Sequence, residues 1–159
     1  MTTKPWQLVA LATLCFIQAG HLLSEIASDL LVSSNPASAV AWAEMGFRAS
    51  DAGPSVENVY DYLANSQYVF TIMAVVTVMF GFLLYRGEYL PAVRLTGTIY
   101  FAVGLVGQIA AAGRSADGTP LDTELTSILG AGFTALLLLG FLSLFVGKSA
   151  QWVKEHANG

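Results

Sequence analysis

The sequence predicts an all-α integral membrane protein, a four-helix bundle with a partly helical external segment between its first and second spans. Two observations carry this expectation. Four stretches, Pro5–Ser24, Tyr62–Tyr85, Leu95–Gly113 and Leu125–Gly147, contain no Asp, Glu, Lys or Arg and run to 20, 24, 19 and 23 residues. About 20 mainly apolar residues carry an α-helix across the hydrocarbon core of a bilayer. The second is composition: 55% of the 159 residues are hydrophobic and only 11% are charged, against about 25% charged in a soluble domain. The apolar runs are continuous rather than alternating, which selects helices over a closed barrel.

The spans fall at 6–31, 67–86, 90–113 and 123–147, within one membrane domain covering residues 1–159. Lys4 followed by an apolar run has the outline of a leader peptide, but the run is as long as a true span and no A-x-A site follows it. The first helix is therefore expected to be retained. It holds the single cysteine, Cys15, as a small packed residue. One cysteine excludes an intrachain disulfide, thiol-relay chemistry and a Cys-rich metal site.

The external segment, residues 32–66, is too long for structureless loop. Asn35 followed by Pro36 reads as an N-cap and a first-turn proline. The short helix they open carries Ala37, Val40, Ala41, Met45 and Phe47, and sets Trp42 near the outer interface. Asp51-Ala-Gly-Pro54 breaks it, and Ser55 caps a second stretch, Val56–Ala64, that leads into span two.

Spans two and three are joined by only Arg86–Leu90, which predicts an antiparallel hairpin. Gly113–Asp122 is a turn: Asp117-Gly118 supplies turn chemistry, Pro120 stiffens the entry to span four, and Asp122 or Thr123 caps it. Small residues, Gly97, Gly104, Gly107 and Ala111 on span three and Ser127, Gly130, Ala131, Thr134 and Ala135 on span four, mark helix contacts. In the tail, Lys148, Trp152 and Lys154 suit an inner interface.

Charge fixes the expected orientation. With the N-terminus in the cytoplasm, Lys4, Arg86, Arg94, Lys148 and Lys154 lie inside, and only Arg48 and Arg114 lie outside. Both termini are then cytoplasmic. Glu44, Asp51, Glu57, Asp61, Asp117, Asp122 and Glu124 all fall outside. No basic patch is present, which argues against a nucleic-acid partner.

The outer end of span one is the most polar part of the apolar framework. Gln18, His21, Glu25 and Asp29 are spaced +3, +4 and +4, which places them within about 80° of one helix face. That stripe continues inward through Leu14 and Leu11, so it is expected to face the bundle. Measured from Trp6, His21 stands roughly 22 Å and Glu25 roughly 28 Å up the helix. Gln108, Arg114, Glu124, Thr126 and Ser127 reach the same level from spans three and four.

Ionisable groups at that depth point to function. The candidate binding residues are Gln18, His21, Glu25, Gln108, Arg114 and Glu124. Arg114 is expected to pair with Glu25 or Glu124, and His21 to bond Gln18, Gln108 or Glu25. A structural reading stands beside this: wetted helix ends and a packed histidine. No metal is expected. A bis-His haem site fails because His156 lies in the tail, and zinc needs three or four ligands, where only His21, Glu25 and Glu124 or Asp29 are on offer.

The order of features from Arg86 onward, with Gly113-Arg114-Ser115, then Asp117-Gly118-Thr119-Pro120, then Glu124 opening the last span, resembles the DoxX-like small four-helix bacterial membrane proteins, in particular a branch of unknown function. The similarity covers about 70 residues by position; the external segment is longer than that group usually has. The resemblance implies a bacterial inner membrane, a four-helix bundle, and Arg114, Asp117 and Glu124 as the matching positions. Some members of the group are linked to membrane redox complexes.

Two functions follow as expectations. The first is a non-enzymatic accessory or structural subunit of a homo-oligomer or larger membrane complex, with membrane lipids and other membrane proteins as partners. The second is a small-molecule, quinone-linked or proton-handling protein that uses the outer polar cluster, with lipid or quinone bound there. An ion-conducting oligomer is disfavoured, because no span carries a polar stripe along its whole length.

Overall fold

The apolar face of α1 (Trp6–Ser34) lies along α3 (Val56–Arg86), and this pair is the most extensively packed in the molecule. On α1 the buried positions Leu8, Leu11, Ala12, Cys15, Gln18, Ala19 and Leu22 recur every three or four residues, the spacing of a single helical face. A computed structural model describes residues 4–44, 56–114 and 121–156, and every element among them is a helix. The others are α2 (Pro36–Glu44), α4 (Leu90–Arg114), α5 (Leu121–Ser143) and α6 (Gly147–Glu155).

Three helical segments, Trp6–Ser34, Val59–Arg86 and Leu90–Ala110, are long and apolar enough to cross a membrane. A fourth is added if Ile128–Ser143 and Gly147–Glu155, bent by 65° at their junction, count as one span. The chain is thus an all-helical, multi-pass membrane protein by the character of its helices. Tyr68 and Tyr85 on α3 are 70% and 62% exposed. Their 17-residue separation is roughly 26 Å of helix, close to the thickness that interfacial aromatic rings bracket.

The segment between α1 and α3 begins as its residues require. Asn35 Oδ1 accepts the Ala37 N–H at 3.1 Å, and the Asn35 carbonyl accepts from Ser38 at 2.9 Å and Ala39 at 3.3 Å. This starts α2 at Pro36. Ala39 of α2 packs with Val59 and Leu63 of α3, with Val32 and Tyr60 against them. The stretch from Val56 runs without a break into the long α3. Met45, Phe47, Asp51, Pro54 and Ser55 lie outside the described residues, as does the side chain of Trp42.

At the Arg86–Leu90 connection the Gly87 N–H bonds the Leu83 carbonyl at 2.8 Å and the Glu88 N–H bonds the same carbonyl at 3.1 Å. Gly87 takes φ +79°, the left-handed closure that glycine permits at a helix end. The turn reverses the chain, yet α3 and α4 pack on each other only sparsely; α4 packs chiefly on α5. The expected hairpin is a short connection between two different helix pairs, α1–α3 and α4–α5.

Those pairs are joined by one core at the end that carries the α3–α4 turn. Leu8, Leu11 and Cys15, Phe80 and Leu84, Leu90, Val93 and Phe101, Leu137, Phe141 and Leu144, and Val153 all belong to it. Phe141 stacks edge-on against Phe80 at 5.5 Å between centroids and lies 5.3 Å from Phe101. Gly97 makes room for that ring: a Cβ there would fall 2.2 Å from Phe141 Cε1. Gly140 does the same for Leu11, whose Cδ1 would be 2.5 Å away.

The fourth apolar run does not stay helical to Gly147. Leu144, Phe145 and Val146 donate to Phe141, Leu142 and Ser143, three residues back, tightening the helix until it ends. Gly147, at φ +62°, then opens α6 in a new direction. Ser149 and Val153 of α6 are buried, and Trp152 packs on the core with His156 stacked on its indole at 4.0 Å. The tail is therefore a helix packed on that core. Nearby, the Lys4 ammonium donates to the Tyr85 carbonyl and lies 5.3 Å from that ring's centroid.

Candidate polar site between helix pairs

The face of α1 that is apolar at Leu11 and Cys15 turns polar at Gln18. This glutamine is only 2% exposed, and its amide oxygen has no hydrogen-bond partner among the described residues. On α4 the amide oxygen of Gln108 is likewise inaccessible and unpartnered. One turn outward from Gln18, His21 is partly exposed. Its Nδ1 lies 3.8 Å from Glu25 Oε1, ion-pair range rather than a hydrogen bond.

Side chains of α1 and α4 meet over a glycine of α5. A Cβ at Gly130 would meet Gln108 Nε2 at 3.9 Å and His21 Nε2 at 4.0 Å. His21 and Gln108 thus flank one buried small residue from opposite helix pairs. Thr134, a turn inward, turns its hydroxyl back to the Gly130 carbonyl at 2.8 Å, which removes it as a competing donor. Phe133 covers His21 with ring centroids 6.2 Å apart.

Of the six candidate residues, His21 and Gln108 meet over Gly130, Glu25 stands beside His21, and Gln18 lies one turn along α1 from His21. The expected His21–Gln18 and His21–Gln108 bonds are absent from the hydrogen bonds of the described residues. The side chains of Arg114, Glu124, Thr126 and Ser127 lie outside what is described, as does Asp117. Asp29, the outermost member of the stripe, is buried at 8% exposure and accepts a hydrogen bond from Ser66 Oγ of α3. Ser66 carried no signal in the sequence, since a serine at a span entrance looks like any wetted residue.

Beside this cluster the two helix pairs part. Met73 of α3 and Thr96, Ile99, Tyr100, Val103 and Gly104 of α4 line an apolar groove of about 440 Å³. Gly104 belongs to both regions. It walls the groove, a Cβ on it would lie 3.8 Å from Thr134 Cγ2, and Gln108 follows one turn later. Tyr100 ties the two walls together, its hydroxyl donating to the Met73 carbonyl at 3.4 Å.

Chemically, the described residues of the site offer two amides with buried oxygens and an imidazole beside a carboxylate. Among the described residues no three His, Cys, Asp or Glu side chains could share a metal ion. Bilayer interior supplies no water to an orphaned amide, and an unmatched polar group there costs several kcal/mol. Gln18 and Gln108 each carry such a group. Gly107 was expected at a helix contact, but nothing lies within 4 Å of the position its Cβ would take.

No family model, no curated protein and no solved structure matches this chain.

Proposed function

We propose that this protein is a non-enzymatic binding protein of the bacterial inner membrane, a four-helix bundle that holds a small molecule at the outer-leaflet cluster of Gln18, His21, Glu25 and Gln108. The single observation that carries this reading is the pair of buried, unpartnered amide oxygens on Gln18 and Gln108. Buried polar groups in native structures almost always have partners. In this reading α1, α3, α4 and α5 cross the bilayer, both termini are cytoplasmic, and α6 lies along the inner surface. The five inner basic residues and the exposed rings of Trp6, Tyr85 and Tyr89 support that placement.

The test is extraction in a mild detergent followed by mass spectrometry of retained small molecules. The wild type is expected to hold a defined non-protein mass that Gln18→Leu and Gln108→Leu lose while keeping their helical content. Equal retention in all three proteins, or none in any, overturns the reading.

A second reading, an accessory subunit of a homo-oligomer or larger complex, is favoured by α4. Its outward face carries Ile99, Val103, Val106 and Gly107, all exposed, a small residue among branched ones as helix-association faces have. Gly107→Leu is expected to dissociate such a complex without unfolding the subunit, as read by native mass. An unchanged mass rejects it.

A further inference from the structure

We propose that the guest of this site is a neutral, single-chain amphiphile whose head bears hydroxyl groups, the head among Gln18, His21 and Gln108 and the chain along the α3–α4 groove. The inference rests on the reading that the polar cluster binds a ligand, and adds what kind of ligand it takes.

The head is defined by what the site lacks. Two amide oxygens inaccessible to solvent have no donor among the described residues. A hydroxyl donates and accepts, so it satisfies either face of a glutamine amide and either state of an imidazole nitrogen. Net charge on the head is disfavoured from both sides. An anion would meet Glu25, 3.8 Å from His21, and a cation would be drawn deep into the apolar region at high cost.

The chain is defined by the groove. Gly104 connects it to the cluster, since it borders the groove on one side and Thr134 on the other. Thr134 in turn bonds Gly130, against which His21 and Gln108 are set. A head at Gln108 therefore has its apolar exit past Gly104 toward Val103, Ile99 and Met73. At about 440 Å³ the groove sits near the small end of the range for ligand sites, about 300–1,000 Å³, which suits one chain rather than two. Its sides are open to the bilayer, so a lipid-dissolved guest needs no aqueous route.

The test uses the full chain in detergent micelles, with bound fractions read by native mass spectrometry for three probes that share one acyl chain: 1-monooleoylglycerol, methyl oleate and oleate. Monooleoylglycerol is expected to bind at least about tenfold more tightly than methyl oleate, whose head cannot donate, and more tightly than oleate. Gln18→Leu and Gln108→Leu are expected to abolish that preference. Val103→Trp, at a lipid-facing position that fills the groove without touching the core, is expected to weaken monooleoylglycerol at least about tenfold.

If the glutamine variants lose monooleoylglycerol but Val103→Trp does not, the cluster binds a ligand and the chain assignment is wrong. If Val103→Trp alone matters, the groove holds acyl chains without the cluster, and both readings fail. Oleate binding as tightly as monooleoylglycerol overturns the neutral head.

Discussion

Phe141 rests directly on Gly97: a β-carbon on that glycine would lie 2.2 Å from the ring's Cε1 and 2.5 Å from Cδ1. The contact joins α4 to α5 within the shared core, where Phe141 also meets Phe80 and Phe101. Gly97→Ala must push the ring into its aromatic neighbours. A loss of about 1–3 kcal/mol is expected, the usual cost of overpacking, measured by denaturant titration in mixed micelles. Gly107→Ala, with open space around it, is expected to leave stability unchanged or slightly raised. Equal effects at the two positions would contradict the packing described.

Gln18 separates stability from binding. Replacing a buried amide that has no partner by Leu, of similar size, is expected to raise the stability of the ligand-free protein by about 1–3 kcal/mol, since the desolvation cost disappears. The same variant loses the guest. A Gln18→Leu protein less stable than wild type in a ligand-free micelle would show that the amide is satisfied after all.

Ser66 carries the only described hydrogen bond to the buried Asp29 carboxyl. Ser66→Ala is expected to cost about 1.5–3 kcal/mol, the range for a bond to a charged group. Ser33→Ala, which removes only a local bond to Leu30 at 3.1 Å, serves as the comparison and is expected to change little. Thermal unfolding followed by circular dichroism reads both. An Asp29→Asn background that removes most of the Ser66→Ala penalty would tie the loss to that pair.

The inner turn makes a further demand. Gly87 has φ +79°, and a Cβ on it would meet Trp152 Cη2 at 3.3 Å. Gly87→Ala is expected to cost about 1–2 kcal/mol from left-handed backbone strain alone, and to displace the α6 indole as well. Tryptophan emission should shift red as Trp152 leaves its packed position. An unchanged spectrum together with wild-type stability would reject the contact.

Much of the helical framework can be read directly from residue type, because the forces involved are local. Uncharged length identifies a span, Asn35-Pro36 starts α2, and the +3, +4 spacing puts Gln18 and Glu25 on one stripe with His21. Pairing is another matter. Gln108 and His21 meet over Gly130, a residue on a third helix whose only signal is being small. Gly107 is equally small and faces open space. Glycine permits close approach without specifying it, so contacts at Gly97, Gly130 and Gly140 become visible only in three dimensions.

The bend at Gly147 escaped for a related reason. Hydropathy continues smoothly through Leu144, Phe145 and Val146, whereas the helix ends through backbone bonds three residues back and one left-handed glycine. Ser66 was hidden because its importance belongs to Asp29, a residue 37 positions earlier.

The arrangement of the inner core has a consequence for how the molecule is made. α1 finds its main partner in α3 and α4 finds its own in α5, each pairing within one half of the chain, so both can form as the polypeptide emerges and enters the bilayer. The core that unites them draws on Leu8 and on Val153 alike. Its last member, Val153, arrives only when α6 leaves the ribosome, after every other described helix. Before that moment Leu11 against Gly140 and Phe80 against Phe141 already join the two halves; the nine-residue α6 completes the core they share.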